Sequence, residues 1–126
     1  MVSEKEDRIA SAIVDSSLTV HKRLGPGLLE SVYELCLFHE LSKRSIPVER
    51  QVGFPILYDD LKIESGLWLD LLVAGLVIVE IKAVEKLAPV HQAQLLTYLK
   101  LTEKKLGLLI NFNVPLIKDG IRRMVN

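Results

Sequence analysis

The feature that most constrains the fold is an apolar run from Leu71 to Val79, nine residues that end at Glu80. This run is too short for a helix that spans a bilayer, which needs about 20 residues. Ala74-Gly75 divides it, and Leu76 to Ala83 is almost continuous Leu, Val and Ile. Such a segment is typical of a central strand that is buried on both faces. A sheet that contains it needs helices on both sides.

Hydrophobic spacing predicts the other elements around this strand. We expect helices at residues 4–22, Leu28 to Lys43 and Pro89 to Lys104, strands at Val48 to Leu57, Leu61 to Glu64, Leu67 to Val73, Leu76 to Ala83 and Gly107 to Phe112, and a terminal helical turn or two at Ile117 to Met124. Gly25-Pro26-Gly27 separates the first two helices because proline lacks a donor N–H. Two helices, a run of strands, a third helix and a further strand predict an α/β or α+β fold with a mixed sheet flanked by helices.

Length and composition predict a single globular domain over residues 1–126, with 49% hydrophobic residues. Cys36 is the only cysteine, which excludes an internal disulfide and fits a reducing cytoplasm. The charged start lacks the apolar stretch of a signal peptide, so we expect a soluble, cytoplasmic protein without a membrane anchor. Sixteen basic and sixteen acidic residues give zero net charge, whereas nucleic-acid binders usually show a basic excess. The basic pairs, such as Lys22-Arg23, are explained as solvated helix ends.

Three charged residues interrupt the apolar strands. Asp70 lies within Leu-Trp-Leu-Asp-Leu-Leu-Val, and Glu80 and Lys82 lie within Val-Ile-Val-Glu-Ile-Lys-Ala. Strand alternation places Glu80 and Lys82 on one face. A buried Glu–Lys pair or a strand end would explain these two alone. With Asp70 on the preceding strand, the carboxylates would repel each other, and they form the oxygen ligand set that Mg²⁺ prefers.

The register of these two strands offers a test of that hypothesis. A two-residue turn at Ala74-Gly75 would place Asp70 opposite Val79 and turn its carboxylate away from that of Glu80. A shared metal therefore requires a connection with an odd number of residues, or a bulge.

Two helical stripes supply further polar side chains. His91, Gln94 and Tyr98 share one helix face, and Glu30 and Tyr33 are three residues apart on the second helix. A solvated polar face would explain the first stripe. Glu30 would also be favoured by the helix dipole, because it lies at the helix start.

Together these pieces resemble the GxxExxY family of the PD-(D/E)xK, restriction-endonuclease-like superfamily. The residues that carry the resemblance are Gly27 to Tyr33, Asp70, Glu80-Ile81-Lys82, Ala88 to His91, Gln94 to Tyr98 and Asn111 to Pro115. The resemblance runs from about Ile9 to Arg123. It implies the αβββαβ core, here with an extra N-terminal helix.

The resemblance also implies roles for individual residues. Asp70, Glu80 and Lys82 occupy the catalytic positions, with the two acids on the metal. Glu30 matches an acid of the first core helix that often completes the metal site. Gln94 and Tyr98 match a Q-x-x-x-Y helix motif that borders the site.

The chain departs from the superfamily pattern at two positions. Leu69 replaces the proline that precedes the acid. Trp68 stands where a basic residue is common, which removes one potential phosphate contact.

These observations predict a Mg²⁺- or Mn²⁺-dependent nuclease that hydrolyses phosphodiester bonds in DNA, with a homodimer as the expected assembly. Two alternatives stay open: a catalytically silent nucleic-acid-binding or protein-interaction module, and a structural role in which Lys82 neutralises Glu80. His21, His39 and His91 are too scattered for a zinc site, so surface or core positions are expected for them.

Overall fold

A computed structural model describes residues 1–126 as three α-helices and five β-strands with one short 3₁₀ helix. The elements, in chain order, are α1 (Glu4–Leu24), α2 (Glu30–Lys43), β1 (Val48–Tyr58), β2 (Leu61–Val73), β3 (Val77–Lys82), α3 (Pro89–Thr102), β4 (Leu106–Asn111), the 3₁₀ helix (Ile117–Gly120) and β5 (Ile121–Val125). The strands form one sheet in the order β1-β2-β3-β4-β5. Only β3 and β4 are parallel, and α3 connects them, so the sheet is mixed.

Helices cover both faces of this sheet. The helices α1 and α2 pack on one face through a cluster that includes Ile13, Leu37 and Val79. The helix α3 packs on the other face, where Leu95 and Leu99 meet residues of β2, β3 and β4. The first five residues of β3 are buried, as expected of a central strand. The prediction of an α+β fold with a restriction-endonuclease-like core is confirmed.

The turn between α1 and α2 is fixed by Tyr33. The Tyr33 hydroxyl donates a hydrogen bond to the Gly25 carbonyl at 2.6 Å and accepts one from the Leu28 N–H at 3.1 Å. The Tyr33 ring is buried and stacks on Phe112, with 4.6 Å between the ring centroids. Because Tyr33 lies one turn after Glu30, these contacts also fix the start of α2.

Two predictions of secondary structure were wrong. The segments Leu61–Glu64 and Leu67–Val73 belong to one strand, because Gly66 allows Ile56 to lie closer than a Cβ would permit. The segment Ile117–Met124 is not helical beyond the 3₁₀ turn, because Ile121–Val125 pairs with β4 as an antiparallel strand. The ladder with β4 overrides the local helical spacing, since local propensity is a weak guide against tertiary pairing.

The hairpin of β1 and β2 changes its packing at the facing residues Gln51 and Asp70. On the near side of this point, Leu71 and Val73 pack toward α1 and α2. On the far side, Leu67 and Leu69 pack toward α3. All four residues are odd-numbered, so the alternation of β2 reverses at Asp70. On β1 the corresponding irregularity is at Gln51, whose backbone is left-handed with φ 50°.

Candidate functional site

The connection between β2 and β3 decides whether the two central acids can meet. Val73 pairs with Val77, so three residues connect the strands, and Leu71 pairs with Val79. The same register, continued by one residue, places Asp70 opposite Glu80. Ala74 and Gly75 both adopt left-handed backbones, with φ values of 54° and 66°. The prediction of an irregular connection is confirmed.

Asp70 and Glu80 each accept a hydrogen bond from the backbone of the opposite strand. The Asp70 N–H donates to Glu80 Oε2 at 2.9 Å, and the Ile81 N–H donates to Asp70 Oδ2 at 2.8 Å. These bonds follow directly after the last ladder pair, Leu71 with Val79. The exchange satisfies two backbone donors and fixes both side chains. It uses one oxygen of each carboxylate. Of the other two oxygens, Asp70 Oδ1 accepts a longer hydrogen bond from Gln51 Nε2, at 3.4 Å.

Burial makes the negative charge of this pair unfavourable. Glu80 is only 4% exposed, and burial followed by the charge of Asp70 raises its pKa to about 8. Burial also raises the pKa of Asp70, although the Ile81 N–H and the charge of Lys82 act in the opposite direction. Two adjacent carboxyl groups with raised pKa values are the usual sign of a site where a cation is bound or a proton is held.

Lys82 lies at the end of β3, on the same face as Glu80. Its positive charge acts to lower the pKa of both Asp70 and Glu80, against the larger effect of burial. It forms no ion pair with Glu80. The structural alternative, in which Lys82 neutralises Glu80 by direct pairing, therefore lacks its central contact.

Glu30 reaches the same end of β3 from the first turn of α2. Its Oε2 accepts a hydrogen bond from the Ala83 N–H at 3.3 Å, and its charge raises the pKa of Asp70. The Glu30 side chain is exposed, whereas Asp70 is half-buried and Glu80 is buried. In its present position it does not form a three-ligand cluster with them, and no group of three His, Cys, Asp or Glu side chains is arranged for a metal ion.

Of the polar stripe on α3, Tyr98 is the residue whose pKa is affected by the acids. It is half-buried, and burial, Glu80 and Asp70 together raise its pKa. Gln94 is exposed and makes no hydrogen bond, so its role stays a prediction. His91 accepts a hydrogen bond from the Ala88 N–H at 3.0 Å and so supports the start of α3.

The other two histidines lie away from the acids. His21 is buried and bonds the Val114 carbonyl at 2.8 Å, whereas His39 is exposed. The expected surface or core positions are therefore those observed.

The site can now be compared with known proteins. A family model described as the PD-(D/E)XK nuclease superfamily matches residues 7–124. The chain belongs to this superfamily. Comparisons with curated proteins and with solved structures give no significant match, so the superfamily assignment rests on the family model.

This superfamily member also has a polar group that sequence reasoning missed. Glu34 is 7% exposed, and its carboxylate accepts hydrogen bonds from Arg50 Nε at 3.2 Å and Gln51 Nε2 at 2.8 Å. The same Gln51 amide lies 3.4 Å from Asp70 Oδ1. Burial and then the charge of Asp70 raise the pKa of Glu34. Its spacing of four residues from Glu30, on the same helix face, was the signal available in the sequence.

The central acids of this nuclease-superfamily chain lie outside its cavities. None of the five cavities of the molecule is lined by Asp70, Glu80, Lys82 or Tyr98, whereas Glu30 and Ala83 line one of them. None of the helices has the length and apolar character needed to cross a membrane.

Proposed function

We propose that this protein is a metal-dependent nuclease that hydrolyses phosphodiester bonds in DNA, and that it is of the GxxExxY type within its superfamily. The observation that carries the proposal is the exchange of hydrogen bonds between Asp70 and Glu80 and the backbones of the opposite strands, directly after the last ladder pair of β2 and β3, with Lys82 two residues beyond Glu80 on the same face. Three residues with these chemistries converge where the paired strands separate. The superfamily assignment is independent support.

The donor set fits a Mg²⁺ or Mn²⁺ ion. Asp70 and Glu80 each have one carboxylate oxygen that the backbone exchange does not use, and Glu30 has an exposed carboxylate beside them. Hard divalent cations prefer such oxygen ligands together with water. Burial raises the pKa values of both acids more than Lys82 and the backbone N–H groups lower them, so a bound cation would stabilise their ionised forms. When bound, the ion would polarise the phosphodiester and activate a water.

The residues around the site would have separate roles. Asp70 and Glu80 would hold the cation through side chains fixed by backbone N–H groups. Glu30 would complete the set from α2 once its side chain turned from the Ala83 N–H toward them. Lys82 orients the attacking water and offsets the negative charge that develops on the phosphate. Tyr98 and Gln94 lie on the face of α3 that borders the site and contact the nucleic-acid backbone.

Lysine substitution tests this function directly. Purified protein is incubated with plasmid, single-stranded, branched and RNA substrates in Mg²⁺, Mn²⁺ or EDTA. We expect the protein to cleave DNA only when the metal is present. Lys82→Ala should lower the rate of cleavage by about a hundredfold or more, because it removes a group that stabilises the developing negative charge. The matched control is Lys86→Ala, an exposed lysine four residues later. Cleavage that is equal in Lys82→Ala and wild type would contradict the role of Lys82.

A catalytically silent binding module is the second candidate. It is favoured by the lack of a three-ligand metal cluster and by the zero net charge. Titration with Mn²⁺ separates the two candidates. A nuclease binds Mn²⁺ in a manner that depends on Asp70 and Glu80, whereas a silent module binds none there while it still retains nucleic acid or a protein partner.

A further inference from the structure

Trp68 is an exposed aromatic residue beside the acids. Its side chain is 51% exposed, although its neighbours on β2, Leu67 and Leu69, are buried toward α3. Strand alternation turns Trp68 to the opposite face, the side of α1 and α2. Asp70 is connected to the same side, because its Oδ1 accepts a hydrogen bond from the Gln51 amide that also binds Glu34 of α2. Indole rings are normally mostly buried, so this half-exposed position is not explained by the packing of the core.

Gly53 on the paired strand makes room for the indole ring. Gly53 lies opposite Trp68, and a Cβ at Gly53 would be 3.2 Å from the ring atoms Cη2 and Cζ3 of Trp68. Ser65 Oγ would be at the same distance from that Cβ. The far end of the ring therefore lies across the backbone of β1, which supports it. A supported ring with an exposed surface is a preformed platform for a flat ligand.

The distance from this platform to the acids is short. Two residues of extended strand separate Trp68 from Asp70, about 6.6 Å of rise. Asp70 lies opposite Glu80 in the register of β2 and β3. A group stacked on Trp68 therefore belongs to the same substrate segment as a phosphodiester at the acids.

The strand segments on either side of Trp68 carry no charge. Neither residues 51–55 of β1 nor residues 65–69 of β2 include an acidic or basic side chain. Phosphate groups are bound by Lys, Arg and polar donors, so this surface is unsuited to a duplex backbone. Aromatic rings that bind nucleic acid without cations do so by stacking on bases. In a duplex the faces of the bases are covered by their neighbours, so the ligand that fits is an unpaired base.

We propose that Trp68 forms a stacking subsite for an unpaired nucleobase next to the phosphodiester that is cleaved. This inference rests on the proposed nuclease function. It makes single strands, loops, bulges and flaps the preferred substrates over continuous duplex.

Trp68 is the only tryptophan of the chain, so its fluorescence reports on this subsite alone. The full-length protein is titrated in EDTA, where no cleavage occurs, with a short single-stranded oligothymidylate. An abasic oligomer of equal length and a duplex of equal length are titrated in parallel. We expect the oligothymidylate to quench the emission and the two other probes to leave it almost unchanged.

Substitution of the ring supplies the matched comparison. Binding of the labelled oligothymidylate, measured by anisotropy, should weaken roughly 5- to 150-fold in Trp68→Ala and much less in Trp68→Phe. The control is Tyr58→Ala, which removes a 70% exposed aromatic ring at the far end of the same hairpin and should bind as wild type does.

The outcomes separate this inference from the proposed function. Quenching without any metal-dependent cleavage supports the subsite and contradicts the nuclease function. Cleavage without quenching, or equal quenching by the abasic oligomer, overturns the subsite alone. Emission that changes with protein concentration but not with nucleic acid would show that a second copy of the chain covers Trp68, and this also overturns it.

Discussion

Glu80 occupies a position that disfavours its ionised form. Its carboxyl group is buried beside a second carboxyl group, that of Asp70, and its pKa is raised to about 8. In the unfolded chain this acid ionises near its ordinary pKa of about 4.3. Below that pH both states hold the proton, and above it only the folded state does. Stability of the metal-free protein therefore falls as the pH rises through this interval and levels off above about pH 8.

Glu80→Gln should remove this dependence. The substitution keeps an oxygen that can accept the Asp70 N–H but cannot ionise. We expect it to stabilise the metal-free protein by roughly 2–4 kcal/mol at about pH 8 and by little below about pH 4, on the basis of about 1.4 kcal/mol per unit of pKa shift. Urea unfolding in EDTA across this pH range measures the effect. Glu85→Gln, at an exposed acid, is the control, and a Glu80→Gln curve parallel to the wild type would contradict the prediction.

Among the elements, β4 and β5 depend on glycines at two close approaches. A Cβ at Gly120 would overlap the backbone carbonyl oxygen of Asn111, which the sheet holds in place. A Cβ at Gly107 would instead lie 2.9 Å from Leu95 Cδ1, at the end of a flexible side chain. A methyl group added at Gly120 would thus meet backbone that cannot move, whereas one added at Gly107 would meet a side chain that can.

Gly120→Ala should therefore destabilise the protein far more than Gly107→Ala. Overpacking typically costs 1–3 kcal/mol, so we expect about 3 kcal/mol or more for Gly120→Ala and about 1 kcal/mol for Gly107→Ala. Urea unfolding of the two variants beside the wild type measures the difference. Equal decreases in the free energy of unfolding would show that the backbone near Asn111 moves as easily as the Leu95 side chain.

The elements also show how far the sequence could predict this fold. Leu76 to Ala83 was predictable because burial on both faces leaves a pattern within one segment. The β5 strand was not, because Ile121–Val125 becomes a strand only through its pairing with β4, which its own sequence does not encode. The merging of Leu61–Glu64 with Leu67–Val73 depends on the approach of Ile56 to Gly66 across the hairpin.

The candidate site also has parts that the sequence could predict and parts that it could not. The need for an odd connection between β2 and β3 could be predicted, because it is a matter of counting residues in the register. The network of Glu34 and Gln51 could not, because it joins α2 to β1 at the one residue where β1 takes a left-handed backbone. Contacts of this kind depend on tertiary geometry rather than on spacing within an element.

At the scale of the whole molecule, the acids lie where the hairpin of β1 and β2 leaves the rest of the sheet. The near part of the hairpin packs on α1 and α2, and the far part packs on α3. Elements from both layers thus meet at Asp70, where α2 contributes Glu30 and Glu34 and α3 contributes Tyr98. A cation bound there would stabilise the whole fold, because ligands that bind only the folded state shift the unfolding equilibrium.

Binding of Mn²⁺ should therefore be coupled to proton release. The cation requires an ionised Glu80, whose pKa in the metal-free protein is about 8, so binding at neutral pH must displace a proton. We expect the apparent affinity to rise with pH, by up to about tenfold per unit, and to level off above about pH 8.

The thermal midpoint should rise with Mn²⁺ concentration in the wild type and not in Asp70→Asn. Calorimetric titration in two buffers of different ionisation enthalpy counts the released protons, with Glu85→Gln as the control. An affinity for Mn²⁺ that is equal at about pH 6 and about pH 8 would show that the ion does not bind Glu80. This result would contradict the proposed metal site.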